Sequence, residues 1–162
     1  MNVNPITRSF RDLRPQYRRA LVDSLVELRS LCLAGDAGYR EAASLVEGHP
    51  NLRELFRTFA AERLTFAEEL TELLERTGHA TPPVAKLSAD LHRLWIDVRS
   101  VVENHDPTML IAECERGEHA ALMKYEAALK RPLSLDVEEV LIDHVAALRA
   151  ARMGLDRMRH PW

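Results

Sequence analysis

Apolar residues recur along this chain at alternating steps of four and three residues, and few folds are compatible with this pattern. Such a repeat lines one side of an α-helix and is typical of helices that pack side by side. Because a stripe of several turns can be buried only against other helices, the repeat predicts a helical bundle. In residues 17–47 it continues unbroken through Leu21, Leu25, Leu28, Cys32, Gly35, Tyr39, Ala42 and Val46.

Three more segments, separated by Gly and Pro residues, carry the same kind of stripe. With only 6 Gly in 162 residues, the composition also favours helix. We therefore predict an all-α protein, a four-helix bundle with helices over residues 17–47, 50–77, 107–130 and 134–159. The stripes of the last three are Leu52, Phe59, Phe66 and Leu73; Ile111, Glu115, Glu118, Leu122, Tyr125 and Leu129; and Val137, Leu141, His144, Leu148, Ala151, Leu155 and Met158.

Residues 84–104 join the second and third segments and are predicted to form a shorter helix, the crossover. At about 1.5 Å per residue, such a helix could travel most of the length of the bundle. Bundles whose second and third helices are connected end to end have a crossover of this kind. Since 162 residues can bury one core, we predict an N-terminal extension at residues 1–16 and a single domain at residues 17–160.

The distribution of charge along the chain argues against two kinds of partner. The 22 basic and 25 acidic residues are interspersed and give a net charge of -3, so there is no basic stripe for phosphates or anionic lipid. We expect neither nucleic acid nor a membrane surface as a partner. The N-terminus lacks the apolar run of a secretory signal, which predicts a cytoplasmic protein. No hydrolytic triad, phosphate loop or nucleotide fingerprint is present.

Charged side chains interrupt the apolar stripes near the middle of the helices. Glu62, Glu115, Glu118 and His144 fall on the stripes of the second, third and fourth segments, and Asp36 adjoins the stripe of the first. In antiparallel pairs, Asp36 and Glu62 would lie at one level, roughly 18 to 20 Å from their shared turn. Glu118 and His144 would lie within about 3 Å of a common level. We therefore expect these groups to converge at mid-bundle.

One interpretation of the converging groups is a metal site. Carboxylates with a histidine on facing helices are the donors of a di-iron or di-manganese centre. Iron or manganese would then be the cofactor, although the Glu-x-x-His pairs that mark such centres are missing. The candidate ligands are Asp36, Glu62, Glu115, Glu118 and His144.

The other main interpretation is a buried polar network that fixes the register of the helices. In it the carboxylates pair with Arg40, Arg63 or Arg116 and with the hydroxyls of Tyr39 and Tyr125. Burying an unpaired carboxylate costs several kcal/mol or raises its pKa, so each one needs a partner. We favour this network because the histidines of a metal site are missing. A pocket for a small ligand is the third alternative.

Residues beside the stripes are interpreted more simply. Glu113 and His119 are expected to face solvent or an interface, and Glu68, Glu69, Glu72 and Glu75 form a predicted solvated face. Cys32 and Cys114 lack metal or redox spacing and are expected to be buried thiols, with a disulfide or a reactive thiol as alternatives. Apolar side chains outside the stripe of the first helix predict a homodimer surface formed by Val22, Val26 and Leu33.

Four stretches of residues 17–158 resemble an uncharacterised bacterial family of ferritin-like four-helix bundles. They are AGDAGYREAA, FAAERLTFAEEL, LHRLWIDVRS and IAECERGEHAALMKYEAAL, and ECERGE at residues 113–118 is the most specific. The resemblance implies a ferritin-like fold and no established activity, since the family is a domain of unknown function.

A more distant similarity links the chain to ferritin and rubrerythrin. Asp36 before Tyr39, Glu62 with Thr65 in place of a histidine, and the pair Glu115 and Glu118 are similar to ligand motifs of their first three helices. Because the Glu-x-x-His pairs are missing, we expect a non-enzymatic structural, stress-related or interaction protein with a degenerate carboxylate site. The alternative is a di-iron or di-manganese protein that handles iron, oxygen or peroxide.

Overall fold

The computed structural model of the chain describes residues 9–79 and 106–160, which form four long α-helices after a short 3-10 turn at Phe10–Asp12. The helices are α1 (Pro15–Leu45), α2 (Pro50–Arg76), α3 (Pro107–Leu129) and α4 (Leu135–Arg159). Each end lies within two residues of its predicted position, and the described ranges contain no strand. The predicted all-α four-helix bundle is confirmed.

The helix starts follow from local chemistry. Proline occupies the first turn of α1, α2 and α3, where its fixed φ suits the helix and its missing N–H costs no hydrogen bond. Asp106 caps α3, because its carboxylate accepts a 2.9 Å hydrogen bond from the backbone N–H of Thr108. In α4, acidic residues lie in the first turn and basic residues in the last, which matches the helix dipole.

The helices form two antiparallel hairpins, α1 with α2 and α3 with α4, and α1 also packs beside α3 while α2 packs beside α4. Glu27 contacts Lys124 and Tyr39 contacts Glu118, so α1 and α3 run in opposite directions. The hydrogen bond between Glu69 of α2 and His144 of α4 joins the sides on which these two helices face each other. Arg76 and Pro107 therefore lie at opposite ends of the bundle. The predicted crossover at residues 84–104 lies outside the described residues.

The core consists of two apolar clusters, one toward each end of the bundle. Between them is a level of polar and small residues, where α1 contributes Gly35, α2 contributes Arg63 and α3 contributes Glu118. Nearly all predicted stripe residues are buried. Leu13 also packs in the core at 5% exposure, so packing begins before residue 17, whereas the domain boundaries remain a prediction.

Two predictions about surfaces can be compared with this packing. Val22, Val26 and Leu33 are partly buried and pack against the larger apolar cluster, so they are not the exposed patch that the sequence predicted. They lie beside Leu21, Leu25 and Cys32, which are buried in the same cluster. Among the described helices, none is long and apolar enough to cross a membrane.

Candidate functional site

A buried ion pair lies at the level between the two apolar clusters. Arg63 Nη2 donates to both carboxylate oxygens of Glu118 at 2.9 Å, and the two side chains are only 4% and 3% exposed. Arg63 Nη1 donates to Glu62 Oε1 at 2.9 Å, and the Tyr39 hydroxyl donates to Glu118 Oε1 at 2.6 Å. We call Tyr39, Glu62, Arg63 and Glu118 the arginine centre. It links α1, α2 and α3.

The electrostatics of the arginine centre depend on mutual neutralisation. Burial, the largest single influence, lowers the pKa of Arg63, but the charge and hydrogen bonds of Glu118 act together with Tyr39 and Glu62 in the opposite direction, so the pKa is raised. Burial raises the pKa of Glu62 even though Arg63 acts in the opposite direction. Burial and the neighbouring Glu118 carboxylate hold the pKa of Tyr39 well above its usual range. Tyr39 therefore stays a hydrogen-bond donor, and the guanidinium stays charged.

The position of Arg63 is set by a glycine on the facing helix. A Cβ on Gly35 would lie 3.1 Å from Arg63 Cγ, so the absence of a side chain at Gly35 makes room for the arginine stem. The sequence placed Glu62 on the α2 stripe, but Glu62 is 33% exposed and Arg63 is buried instead. That prediction was wrong by one residue. Gly35 within an otherwise apolar stripe was the signal of a bulky partner.

The other three candidate ligands have partners of their own. Asp36 accepts a 2.6 Å hydrogen bond from Arg40, one turn later on the same helix. Glu115 accepts a 2.8 Å hydrogen bond from Arg159 of α4. His144 bonds elsewhere in the bundle, so of the five predicted residues only Glu62 and Glu118 share a partner.

The side chains at this level do not fit a pair of metal ions. Within residues 9–79 and 106–160, no group of three or more His, Cys, Asp or Glu side chains is arranged to hold a metal. The guanidinium of Arg63 takes the place between the two carboxylates where a bridged cation would have to lie, and it uses both oxygens of Glu118. We therefore do not identify these residues as metal ligands. Arginine and tyrosine pairing is the arrangement that the network interpretation predicts.

The inward face of α3 is rotated relative to its predicted stripe. Its buried positions include Ile111, Cys114, Glu118, Leu122 and Tyr125, so Cys114 takes the core position that was predicted for Glu115.

As a result, Glu115 lies at the rim of the bundle and Glu113 is buried at 6% exposure. The prediction that Glu113 faces solvent was wrong. Its carboxylate is neutralised by Arg116, one turn away. His119 is exposed, as predicted.

A second polar chain crosses the bundle and takes one side chain from each helix. Cys32 Sγ lies 3.1 Å from the Tyr125 hydroxyl, Tyr125 lies 2.9 Å from His144 Nδ1, and His144 Nε2 lies 2.5 Å from Glu69 Oε2. The His144 ring also stacks on Phe66, with 3.9 Å between ring centroids. We call Cys32, Tyr125, His144 and Glu69 the thiol relay.

Burial dominates the titration of the thiol relay. It lowers the pKa of His144 although Glu69 acts in the opposite direction, so the imidazole is held neutral. It raises the pKa of the Cys32 thiol to about 11. The sequence did not predict this chain of contacts, because Glu69 lies on the predicted solvated face. The available signal was a histidine on the α4 stripe, which needs a polar partner when buried.

A small cavity lies between α1 and α3 and touches both polar assemblies. Its volume is about 40 Å³, and we call it the α1–α3 cavity. Both cysteines line it, and both are buried free thiols, as the sequence predicted. Its lining also includes Gly35, Tyr39, Arg63, Gly117, Glu118 and Tyr125.

Comparison with known proteins identifies one family. No curated protein and no solved structure matches the chain. Residues 20–131 match the family described as a domain of unknown function, DUF2383. The match spans well over half of the chain and includes the whole arginine centre, whereas His144 lies beyond it. This chain is therefore a member of the DUF2383 family, a domain whose function is unknown.

Proposed function

We propose that this protein is a ferritin-like four-helix bundle in which an arginine takes the place of metal ions at the carboxylate centre. Its role is then non-enzymatic, as a structural or interaction protein. Support for the ferritin-like relationship comes from the two antiparallel hairpins and from the positions of Arg76 and Pro107 at opposite ends of the bundle. The resemblance of four stretches to a bacterial ferritin-like family points the same way.

The observation that carries the proposal is the double hydrogen bond from Arg63 to Glu118. Both oxygens of Glu118 are used by a guanidinium that is itself buried, so this carboxylate has an internal counter-ion. A metal ion would have to displace that guanidinium and leave its charge buried without a partner. The arginine centre is therefore suited to holding the bundle together rather than to coordinating a cation.

The arginine centre also gives the bundle a defined register. Arg63 lies on α2 and Glu118 on α3, which are diagonal helices from different hairpins. Tyr39 adds α1 to the same level. Since the flanking apolar clusters can slide with little directional preference, a buried hydrogen-bonded pair at one level favours a single alignment of the two hairpins. Specific alignment is what a structural or interaction protein requires of its core.

Elemental analysis of protein purified without chelator tests this proposal. We expect no iron, manganese or zinc in stoichiometric amounts. Iron or manganese retained in stoichiometric amounts through purification would contradict it and would favour the di-metal alternative. Glu118→Gln is the control that locates any metal, because only binding at the arginine centre depends on the charge of this carboxylate.

A further inference from the structure

We propose that Cys32 is a site of oxidation by small hydroperoxides, which reach its thiol through the α1–α3 cavity while Tyr125 and His144, the latter hydrogen-bonded to Glu69, take up the thiol proton. This goes beyond the proposed structural role and does not depend on the arginine centre. It rests on three features: the direction of the hydrogen bonds in the thiol relay, the position of the thiol on a cavity, and a glycine in the wall of that cavity.

The hydrogen bonds of the thiol relay all point the same way. A carboxylate only accepts hydrogen bonds, so His144 Nε2 carries a proton and donates it to Glu69 at 2.5 Å. In the neutral ring Nδ1 is then an acceptor, and it accepts from the Tyr125 hydroxyl at 2.9 Å. The phenolic oxygen in turn accepts from the Cys32 thiol at 3.1 Å. A proton leaving sulfur therefore has a path toward Glu69, which is 47% exposed.

This order of groups resembles the general arrangement of an activated nucleophile. A nucleophile is bonded to a base, and the base is oriented by a carboxylate, with Tyr125 inserted here between the thiol and the imidazole. Burial keeps Cys32 protonated at rest, since it raises the pKa of the thiol to about 11. A reaction at this sulfur thus needs proton removal during the step itself, which is what the relay supplies.

Gly117 is one of the residues that line the cavity. A Cβ on Gly117 would meet no atom within 4 Å, so packing does not require glycine there. Glycine inside a helix costs about 1 kcal/mol relative to alanine, and this cost is not offset by any close contact. Gly35, across the cavity, differs because Arg63 occupies the space beside it.

The size of the cavity selects the oxidant. A volume of about 40 Å³ has room for about three water-sized groups. Hydrogen peroxide, with two oxygen atoms, fits this space, whereas a hydroperoxide with an aromatic substituent does not. The polar atoms that border the cavity can orient the peroxide oxygens beside sulfur.

The proposed step balances without another reagent. Sulfur attacks one peroxide oxygen, an S–O bond forms and the O–O bond breaks, so sulfur loses two electrons and the peroxide gains them. As the bond forms, the thiol proton passes to Tyr125 and the phenolic proton passes to His144. A proton returns along the same path to the departing hydroxide, which leaves as water. The products are one sulfenic acid and one water, and each chain reacts once.

Cys114 provides a matched comparison within the same molecule. It lines the same cavity and is as deeply buried as Cys32, at 1% against 2% exposure. Burial raises the pKa of its thiol as well. Among the residues that the structure describes, however, Cys114 has no hydrogen-bonded relay. The relay is thus the main difference between the two thiols.

Trapping of sulfenic acid with dimedone, followed by peptide mass spectrometry, measures the two thiols separately after hydrogen peroxide is added. We expect Cys32 to react roughly 100-fold faster than Cys114, the lower end of what general base catalysis supplies. Tyr125→Phe should reduce the rate at Cys32 to that at Cys114. Cumene hydroperoxide should react far more slowly than hydrogen peroxide at Cys32.

Gly117→Ala separates a cavity role from a structural one. The added methyl group should raise the melting temperature, because alanine is the better helix former, and should slow the oxidation of Cys32 by narrowing the cavity. A merely structural glycine would leave the rate unchanged.

Equal rates at Cys32 and Cys114 would overturn the proposal, and so would an unchanged Cys32 rate in Tyr125→Phe. The rate at Cys114 separates loss of the relay from unfolding. Loss of the relay lowers the rate at Cys32 and leaves Cys114 as it was, whereas unfolding exposes both thiols and raises the rate at Cys114. A raised Cys114 rate in Tyr125→Phe therefore also counts against the proposal.

Discussion

A buried guanidinium and a buried carboxylate stabilise the fold only as a pair, and Arg63 with Glu118 illustrates this at the scale of single residues. Both side chains are almost fully removed from solvent and are joined by two hydrogen bonds. Taking either charge out of water costs several kcal/mol, which the partner offsets. Removing one partner therefore leaves the other charge buried without compensation.

This asymmetry makes a prediction about stability. Arg63→Met keeps the length of the side chain and removes its charge, and we expect it to lower the free energy of unfolding by about 3 to 5 kcal/mol. Arg40→Met is the matched control: its ion pair with Asp36 is at the surface, where such pairs contribute about 1 kcal/mol or less. Urea denaturation measures both. Equal losses for the two variants would contradict the role assigned to Arg63.

His144 gives the stability a dependence on pH. Its pKa in the folded protein is lowered from 6.5, mainly by burial, so below about that pH the unfolded chain binds a proton that the folded chain does not. The free energy of unfolding should therefore fall as the pH drops below about 6.5 and continue to fall until the folded form is protonated.

Urea denaturation at several pH values between about 8 and 5 measures this dependence. His144→Gln should weaken it, because that variant has no imidazole to protonate. His119→Gln is the control, since His119 is exposed and should leave the dependence as it is. A steeper loss of stability on acidification in His144→Gln than in the native chain would be evidence against this account.

At the scale of helices, the two glycines beside the cavity should respond in opposite ways. Gly35→Ala places a Cβ 3.1 Å from Arg63 Cγ and should destabilise the fold by displacing the arginine stem. Gly117→Ala meets no atom and should stabilise the fold by about 0.5 to 1 kcal/mol. Thermal melting of the two variants tests this, and shifts of the same sign would contradict the assigned packing.

The same scale shows what the sequence could and could not predict. Apolar periodicity located all four helices, because a buried stripe needs many residues in phase and single errors average out. It placed Glu118 and His144 in the interior correctly, but it misplaced Glu62 and Glu115. On α2, Glu62 and Arg63 are adjacent, and the rotation of the helix that places the arginine stem against Gly35 buries Arg63. On α3, Cys114 and Glu115 are likewise adjacent, and Cys114 is the one that is buried in the core.

The candidate site was predictable in its chemistry but not in its connections. A level of carboxylates at mid-bundle was expected, and so was pairing with Arg63 and Tyr39, because an internal charge needs a partner. Which carboxylate each arginine binds depends on helix rotation, which one sequence does not fix. The thiol relay depends further on contacts among all four helices, and no local pattern brings Cys32, Tyr125 and His144 together.

For the whole molecule, two apolar clusters and one polar level explain how the hairpins are aligned. The clusters supply most of the burial, and the arginine centre joins diagonal helices at one height. Homodimer formation through helix surfaces stays a prediction. Val22, Val26 and Leu33 are only partly buried, and light scattering that shows a monomer at high concentration would contradict the predicted dimer.

The central claim is that Arg63, rather than a metal, neutralises the carboxylates of the bundle centre. Melting of chelator-free protein during titration with ferrous iron or manganese tests it most directly, because any ion that binds the folded form raises the melting temperature. We predict an unchanged melting temperature. A rise that saturates at one or two ions per chain and disappears in Glu118→Gln would contradict the account.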